Sequence, residues 1–203
     1  DTGSAVANGF YGIDGVNVII LYPRNKVSYI QEKQLTTFDK NIYALEIEGT
    51  FDDCQNLVKE AFINKELKTK LSLTSANSIN ISRLIPQTFY YFSAYSQIEK
   101  KLPLVVSVPS GNFGNLTAGI LSKYMGLPIK QLVAPTNSND VIKKYLQTSI
   151  YKPEPSIETI SNAMDVGNPS NIKRILDIYG NFEQFKKNIS SWSFSDDETK
   201  KQI

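Results

Sequence analysis

Val105-Val106-Ser107-Val108-Pro109-Ser110-Gly111-Asn112-Phe113-Gly114-Asn115 passes from an apolar run into a Ser/Gly/Asn loop, and a helical pattern opens at Leu116. The stretch predicts a strand, a tight loop and a helix in succession. Glycine lets the main chain bend sharply and approach a ligand closely. The free N–H groups and positive dipole end of a helix start favour a phosphate. This loop is therefore the first candidate site for an anionic cofactor.

Working outward, strand-like and helical patterns alternate. Strands are expected at Asn17–Tyr22, Tyr43–Ile47, Leu71–Thr74, Leu104–Val108 and Gln131–Ala134. Helices are expected at Val27–Thr37, Asp52–Asn64, Leu84–Ile98, Leu116–Met125 and Asp140–Ile150. In the third of these, Leu84, Ile85, Phe89, Phe92 and Tyr95 define the expected apolar side. Ile172, Ile175, Leu176 and Tyr179 fall at helical spacing before Gly180, a suitable C-terminal stop, and Asn168 or Ser170 can cap that helix. Ser195 to Glu198 reads as a capping box. Strands separated by helices imply an α/β fold, with mostly parallel sheets flanked by helices. Two blocks are expected, residues 1–78 and residues 79–203, with a seam near residues 76–83.

Composition narrows the function. The 203 residues are 41% hydrophobic and 21% charged, ordinary for a globular protein, and the net charge of +2 argues against nucleic acid as a partner. No apolar run approaches the ~20 residues of a membrane span. There is no histidine, which excludes a Ser-His-Asp or Cys-His pair in this chain and argues against a metal site. Cys54 is the single cysteine; it fits a reducing compartment and carries a low expectation of catalysis. Neither Walker nor Rossmann spacing occurs around the 110–115 loop, which argues against a nucleotide-binding domain.

Three loops place polar groups where ligands sit in open α/β sheets. Asp1-Thr2-Gly3-Ser4 stands at a helix start, where it can hold a carboxylate or simply cap the helix. Ser75-Ala76-Asn77-Ser78-Ile79-Asn80-Ile81-Ser82-Arg83 combines amides, hydroxyls and a planar guanidinium suited to phosphate; the alternative is a polar surface loop. Ser110–Asn115 is either a phosphate cradle or a structural turn. The run Ser161–Ser170 is rich in small and polar residues, and capping explains only its end.

Together these segments resemble the threonine synthase family. The residues that carry the resemblance are Asp1–Gly9 (DTGSAVANG), Leu21–Pro23 leading to Gln31-Glu32-Lys33-Gln34, Gly49–Gln55 (GTFDDCQ), Ser75–Arg83 (SANSINISR), Pro86-Gln87, Ser110–Leu116 (SGNFGNL) and Ser161–Asn171 (SNAMDVGNPSN). The pattern is similar to the long branch of the family. The resemblance implies the fold type II architecture of pyridoxal-phosphate enzymes, with parts of two domains present. It implies a carbon–oxygen lyase of the cytoplasm that converts O-phospho-L-homoserine and water to L-threonine and phosphate, the last step of threonine biosynthesis.

By that resemblance Gly111, Asn112, Phe113, Gly114 and Asn115 hold the phosphate of pyridoxal 5'-phosphate, and Asp1 neighbours its ring. Asn77, Ser78 and Arg83 clamp the substrate phosphate, with Asn80 shaping the clamp and closure of the smaller domain adding Thr2. Thr2, Gly3 and Ser4 bind the substrate carboxylate. The family's Schiff-base lysine lies in a Phe-Lys-Asp segment expected upstream of Asp1, so no catalytic residue is assigned within these residues. The group that pairs with the cofactor ring nitrogen is expected beyond Ile203. The expectation is an internal segment of a longer enzyme, inactive by itself. The competing readings are another fold type II lyase or dehydratase, which needs no second phosphate clamp, and a non-catalytic anion-binding α/β module. Oligomeric state has no signature in this sequence.

Overall fold

The computed structural model describes residues 2–100 and 102–202. The chain forms two compact units, Asp1–Ala76 and Asn77–Ile203.

In the first unit α1 (Thr2–Phe10) precedes β1 (Val18–Pro23), α2 (Tyr29–Thr36), β2 (Ile42–Ile47), α3 (Phe51–Ile63) and α4 (Lys65–Lys70). β1 and β2 pair in parallel, Val18 opposite Ile42 through Pro23 opposite Ile47. Their small core is Ala7, Ile20, Tyr22, Leu35 and Ile42. Gly3 packs tightly against the core: a Cβ there would lie 2.9 Å from Leu35 Cδ2 and 3.1 Å from Ile20 Cγ2, so those side chains would have to shift. Asn41 closes the turn after α1, accepting from Gly12 N at 2.8 Å and donating to the carbonyls of Phe10 (2.8 Å) and Val16 (2.9 Å). The helices α2 and α3 both start at capping boxes, Ser28 with Gln31 and Thr50 with Asp53.

One expected strand is absent. Leu71–Thr74 follows the short helix α4, which the sequence reading missed, and forms no ladder. Leu71 and Thr74 are exposed, so the run has neither a core face nor a neighbouring strand to satisfy its main chain.

The second unit begins with a 3-10 turn at Ile81–Arg83, followed by α5 (Leu84–Ser96), β3 (Leu104–Ser107), α6 (Gly114–Tyr124), β4 (Ile129–Thr136) and α7 (Val141–Thr148). A second 3-10 turn (Asn162–Met164) leads to α8 (Asn171–Tyr179), α9 (Phe182–Asn188), β5 (Ile189–Ser193) and α10 (Asp196–Lys200). The sheet order is β3-β4-β5, and both pairings are parallel. The expected α/β class with parallel sheets and flanking helices is therefore the class observed. α9 and β5 went unread, although Asn181 caps α9 by accepting from Gln184 N.

α6 is the centre of this unit. Leu116, Ala118 and Ile120 are fully buried, with Leu84, Ile172, Ile175 and Phe185 in the same core. Each of these leucine, isoleucine and phenylalanine side chains contributes about 1.5–3 kcal/mol through the apolar surface it removes from water. The face of α5 that meets α6 matches the expected one at Leu84, and at Tyr95, which packs half-buried against the same core, but not between them. Leu84, Thr88 and Tyr91 are buried, whereas Ile85, Phe89 and Phe92 are exposed, Phe89 by 65%. Gly119 explains the choice: a Cβ on it would sit 2.8 Å from Tyr91 Cζ, so the bare helix surface takes the tyrosine ring.

Candidate functional site

Main-chain pairing carries the sheet past the end of β3. Val108 N donates to Val133 O at 2.7 Å and Ser110 N to Pro135 O at 2.9 Å. The loop that follows is thereby fixed to β4 at its root. Ser110 is buried and its hydroxyl donates to Val108 O at 2.7 Å.

α6 begins within the loop, two residues before the expected start. Its N-cap is Phe113, in the left-handed region at φ 59°, and no side chain caps this end. Such a conformation is costly for a bulky residue. It is held by burial of the ring in the core and by Thr117, whose N–H and hydroxyl both donate to Phe113 O. The first-turn N–H groups of Gly114, Asn115 and Leu116 have no intrahelical acceptor by the geometry of a helix start. The glycines answer a different need from the expected one. Neither has a positive φ. A Cβ on Gly111 would lie 2.8 Å from Met164 Cα, and one on Gly114 would lie 3.3 Å from Ser78 Cβ. Close approach, not bending, requires glycine here.

Asn112 is the hub of the loop. Its Nδ2 donates to Ser78 Oγ at 2.6 Å, while its Oδ1 accepts from Ser170 N (2.7 Å) and Ser170 Oγ (2.9 Å). Its main-chain carbonyl accepts from Asn171 Nδ2 at 2.9 Å. Ser170 stands at the N-cap of α8, but its hydroxyl serves Asn112 and does not cap the helix. Ser78 Oγ in turn donates to Asn77 Oδ1 at 3.2 Å. The two loops singled out in the second unit are thus joined directly, and Asn77, Ser78 and Asn112 form one hydrogen-bonded chain. Asn80 Oδ1 accepts from Ser82 N at 3.0 Å and so shapes the 3-10 turn that ends at Arg83, a half-buried residue.

The Asn115 side chain turns away from this cluster. It donates to Gln87 Oε1 at 3.0 Å, and Tyr91 OH lies 2.8 Å from both Asn115 O and Asn115 Oδ1. Burial pushes the Tyr91 phenol well above its ordinary range, so it stays a donor. The donor that Asn115 shares with its neighbours at the helix start is its main-chain N–H.

The run Ser161–Ser170 now has an explanation. It lies behind Gly111, braced by Asp165, which accepts from Thr159 N (3.0 Å), Thr159 Oγ1 (2.7 Å) and Asn137 Nδ2 (2.7 Å). Gly167 is forced by close packing, since a Cβ would overlap Glu154 O at 1.9 Å. Sequence reasoning missed Arg174 on α8, which donates to Asn171 Oδ1 and, through Nη2, to Ile79 O at 3.1 Å. Its signal was its spacing, three residues after Asn171 and on the same helix side.

Thr2, Gly3 and Ser4 lie in the first turn of α1, with Thr2 exposed. Asp1 lies outside the described residues. Cys54 is buried on α3, and burial raises its thiol, the opposite of what a nucleophile needs. No helix among the described residues is long and apolar enough to cross a membrane.

Comparison with known proteins bears on this geometry. No family model matches the chain. The threonine synthase of Buchnera aphidicola subsp. Acyrthosiphon pisum (strain APS) is 51% identical over 205 residues, covering 100% of this chain and 48% of that protein. The crystal structure of threonine synthase from Escherichia coli superposes with a TM-score of 0.92 at 46% identity, over 100% of this chain and 48% of that one. This chain is homologous to threonine synthases along its whole length. It spans about half the length of the relatives it matches. A structure of threonine synthase from Brucella melitensis, described as bound to PLP, has a TM-score of 0.80 at 36% identity, over 98% of this chain and 49% of that one. The fold type II architecture expected from the sequence is the fold of these threonine synthase structures.

Proposed function

We propose that this chain carries the cofactor-phosphate cradle and the substrate-phosphate clamp of a pyridoxal-phosphate-dependent threonine synthase. The reaction is conversion of O-phospho-L-homoserine and water to L-threonine and phosphate. One observation supports the reading above the others: Asn112 Nδ2 lies 2.6 Å from Ser78 Oγ, so two loops chemically suited to phosphate meet in one place. A reaction with a phosphorylated substrate and a phosphorylated cofactor needs two such sites.

The residues present fit the cofactor phosphate. The uncapped start of α6 offers the N–H groups of Gly114 and Asn115, and Gly111 and Gly114 leave no Cβ in the way. Phe113 fixes the helix start and Asn112 fixes the loop's direction. When bound, the cofactor supplies an electron sink for the carbons next to the substrate amine.

The chain's own part is binding and orientation. Arg83 presents its planar fork to the substrate phosphate and holds the negative charge that grows as the phosphate leaves. The Ser78 hydroxyl has one proton, directed in this structure at Asn77 Oδ1; a phosphate oxygen takes that donor, and the amide of Asn77 adds another. Asn80 sets the turn on which Arg83 is placed. Thr2, Gly3 and Ser4 are assigned to the substrate carboxylate, at the start of α1. The single reduced thiol suits a cytoplasmic enzyme.

The test is phosphate release by the full-length protein, loaded with cofactor, from O-phosphohomoserine and separately from O-phosphothreonine. Release from the first with formation of threonine is expected. Release from O-phosphothreonine alone would give the site to a different phospholyase, and release from neither would remove the clamp.

A further inference from the structure

We propose that Arg174 is a positioning residue that sets the phosphate clamp at a fixed distance from the cofactor cradle. The inference rests on the reading of Asn77, Ser78 and Arg83 as that clamp. Arg174 lies on α8 and is half-buried, and its two hydrogen bonds go to Asn171 and Ile79, neither of which is assigned to a phosphate. Its guanidinium spans two partners. One nitrogen donates to Asn171 Oδ1, and Nη2 donates to Ile79 O at 3.1 Å, within the clamp loop. The Asn171 side chain is fully buried and used at both ends, accepting from Arg174 and donating through Nδ2 to Asn112 O at 2.9 Å. A continuous line of hydrogen bonds therefore runs from the clamp main chain, through Arg174 and Asn171, to the cradle main chain.

This line differs in kind from the Asn112–Ser78 contact. That bond joins side chains and fixes one point, about which the loop can turn. The Arg174 bond to Ile79 O grips the main chain one residue further on, and two adjacent anchors define a direction. The direction decides where Arg83, four residues beyond Ile79, is delivered. A cation on Asn171 Oδ1 also polarises the amide and strengthens its donation to Asn112. The task requires a rigid fork with two donors at set spacing. Lysine carries one compact charge on a flexible stem and reaches one acceptor at a time.

The experiment uses the full-length protein with Arg174→Ala, Arg174→Lys and Arg83→Ala. It measures KM and kcat for O-phosphohomoserine, inhibition by inorganic phosphate, and cofactor affinity by titration of the apoprotein. A charge-assisted hydrogen bond is worth roughly tenfold in an equilibrium. Arg174→Ala is expected to raise KM and the phosphate inhibition constant together, each about tenfold, with kcat and cofactor affinity within about threefold. Arg174→Lys should fall between, and it carries the test by itself if the alanine variant does not fold. A lowered melting temperature with unchanged KM would overturn the inference, because that is what a merely structural residue gives. Cofactor affinity falling as far as KM would also overturn it, because Arg174 would then support both loops alike and would not set the clamp in particular. If Arg83→Ala raises KM and neither Arg174 variant does, the positioning role fails and the clamp stands. If Arg83→Ala leaves KM unchanged, the clamp itself falls, and this inference with it.

Discussion

The loop at 110–115 and the loop at 77–83 are built from similar residues and held in different ways. The first is fixed along its whole length. Its root is tied to β4, Phe113 is buried, Gly111 is pressed against Met164, and Asn112 bonds in three directions. The second takes its shape from side chains: Asn80 caps its turn, Asn112 reaches Ser78, and Arg174 reaches Ile79. A main chain wedged between elements of regular structure is stiff. A loop hung on long polar side chains can give a little. The difference suits the proposed partners, a cofactor that stays and a phosphate that arrives and leaves.

Substitutions separate the two. Gly111→Ala strikes the stiff loop hardest, because the new methyl meets Met164 Cα at 2.8 Å and Ala163 O at 3.3 Å, both main-chain atoms. Overpacking of this kind costs about 1–3 kcal/mol. Cofactor affinity of the full-length protein should fall about tenfold or more, read by titration of the apoprotein. Full retention of affinity would break the contrast, showing the cradle to be as yielding as its neighbour. Arg83→Ala should act on the other side alone, raising KM for O-phosphohomoserine about tenfold with cofactor affinity unmoved, since it removes charge-assisted bonds to one phosphate. A parallel loss of cofactor affinity would mean the two loops work as one.

Ser78→Ala tests the join. It removes the acceptor of the Asn112 amide and the donor to Asn77. The loss is about 1 kcal/mol for a bond of this type, so both affinities should shift by a few fold, with a matching small fall in the urea midpoint. A shift confined to cofactor affinity would indicate that Asn112 is held to orient the cradle and nothing more.

The cradle was legible and the manner of its support was not. An apolar run ending in Ser-Gly-Asn and followed by a helical pattern has few other foldings, and β3, the loop and α6 follow it closely. The left-handed residue is the exception. Sequence logic assigns that conformation to glycine, yet here Phe113 adopts it and the glycines serve close contacts with residues far along the chain. The face of α5 was misjudged for a related reason. Apolar spacing favoured Leu84, Ile85, Phe89, Phe92 and Tyr95; Leu84 and Tyr95 do meet the core, but the surface offered by Gly119 selected Tyr91 over the other three. Leu71–Thr74 has the composition of a strand and no partner. β5, rich in serine, has no apolar run to announce it and becomes a strand because β4 supplies its ladder. Arg174 was hidden because its spacing from Asn171 is the only local signal it carries, and its second partner, the Ile79 carbonyl, lies far along the chain and leaves no pattern in the sequence.

The smallest expected effect lies outside both loops and serves as the control for them. At the start of α3, Asp53 N donates to Thr50 Oγ1 at 3.3 Å, while Thr50 N and Thr50 Oγ1 donate to Asp53 Oδ2 at 2.7 and 2.8 Å. The Thr50 main-chain N–H and hydroxyl both favour the ionised form and hold the Asp53 carboxyl below its ordinary range. A carboxyl whose folded value is depressed adds stability above its unfolded value, near ~3.9, and that addition is lost as pH falls through the lower folded value. Asp53→Asn cannot titrate. Its unfolding midpoint should therefore fall less steeply than that of the parent as the pH drops below about 4, while KM and cofactor affinity at neutral pH stay unchanged. Equal slopes in parent and variant would mean that Asp53 is not held in the charged form. A change in KM would mean that the first unit's helix caps reach the phosphate sites, and the contrast between the two loops would then need a third member.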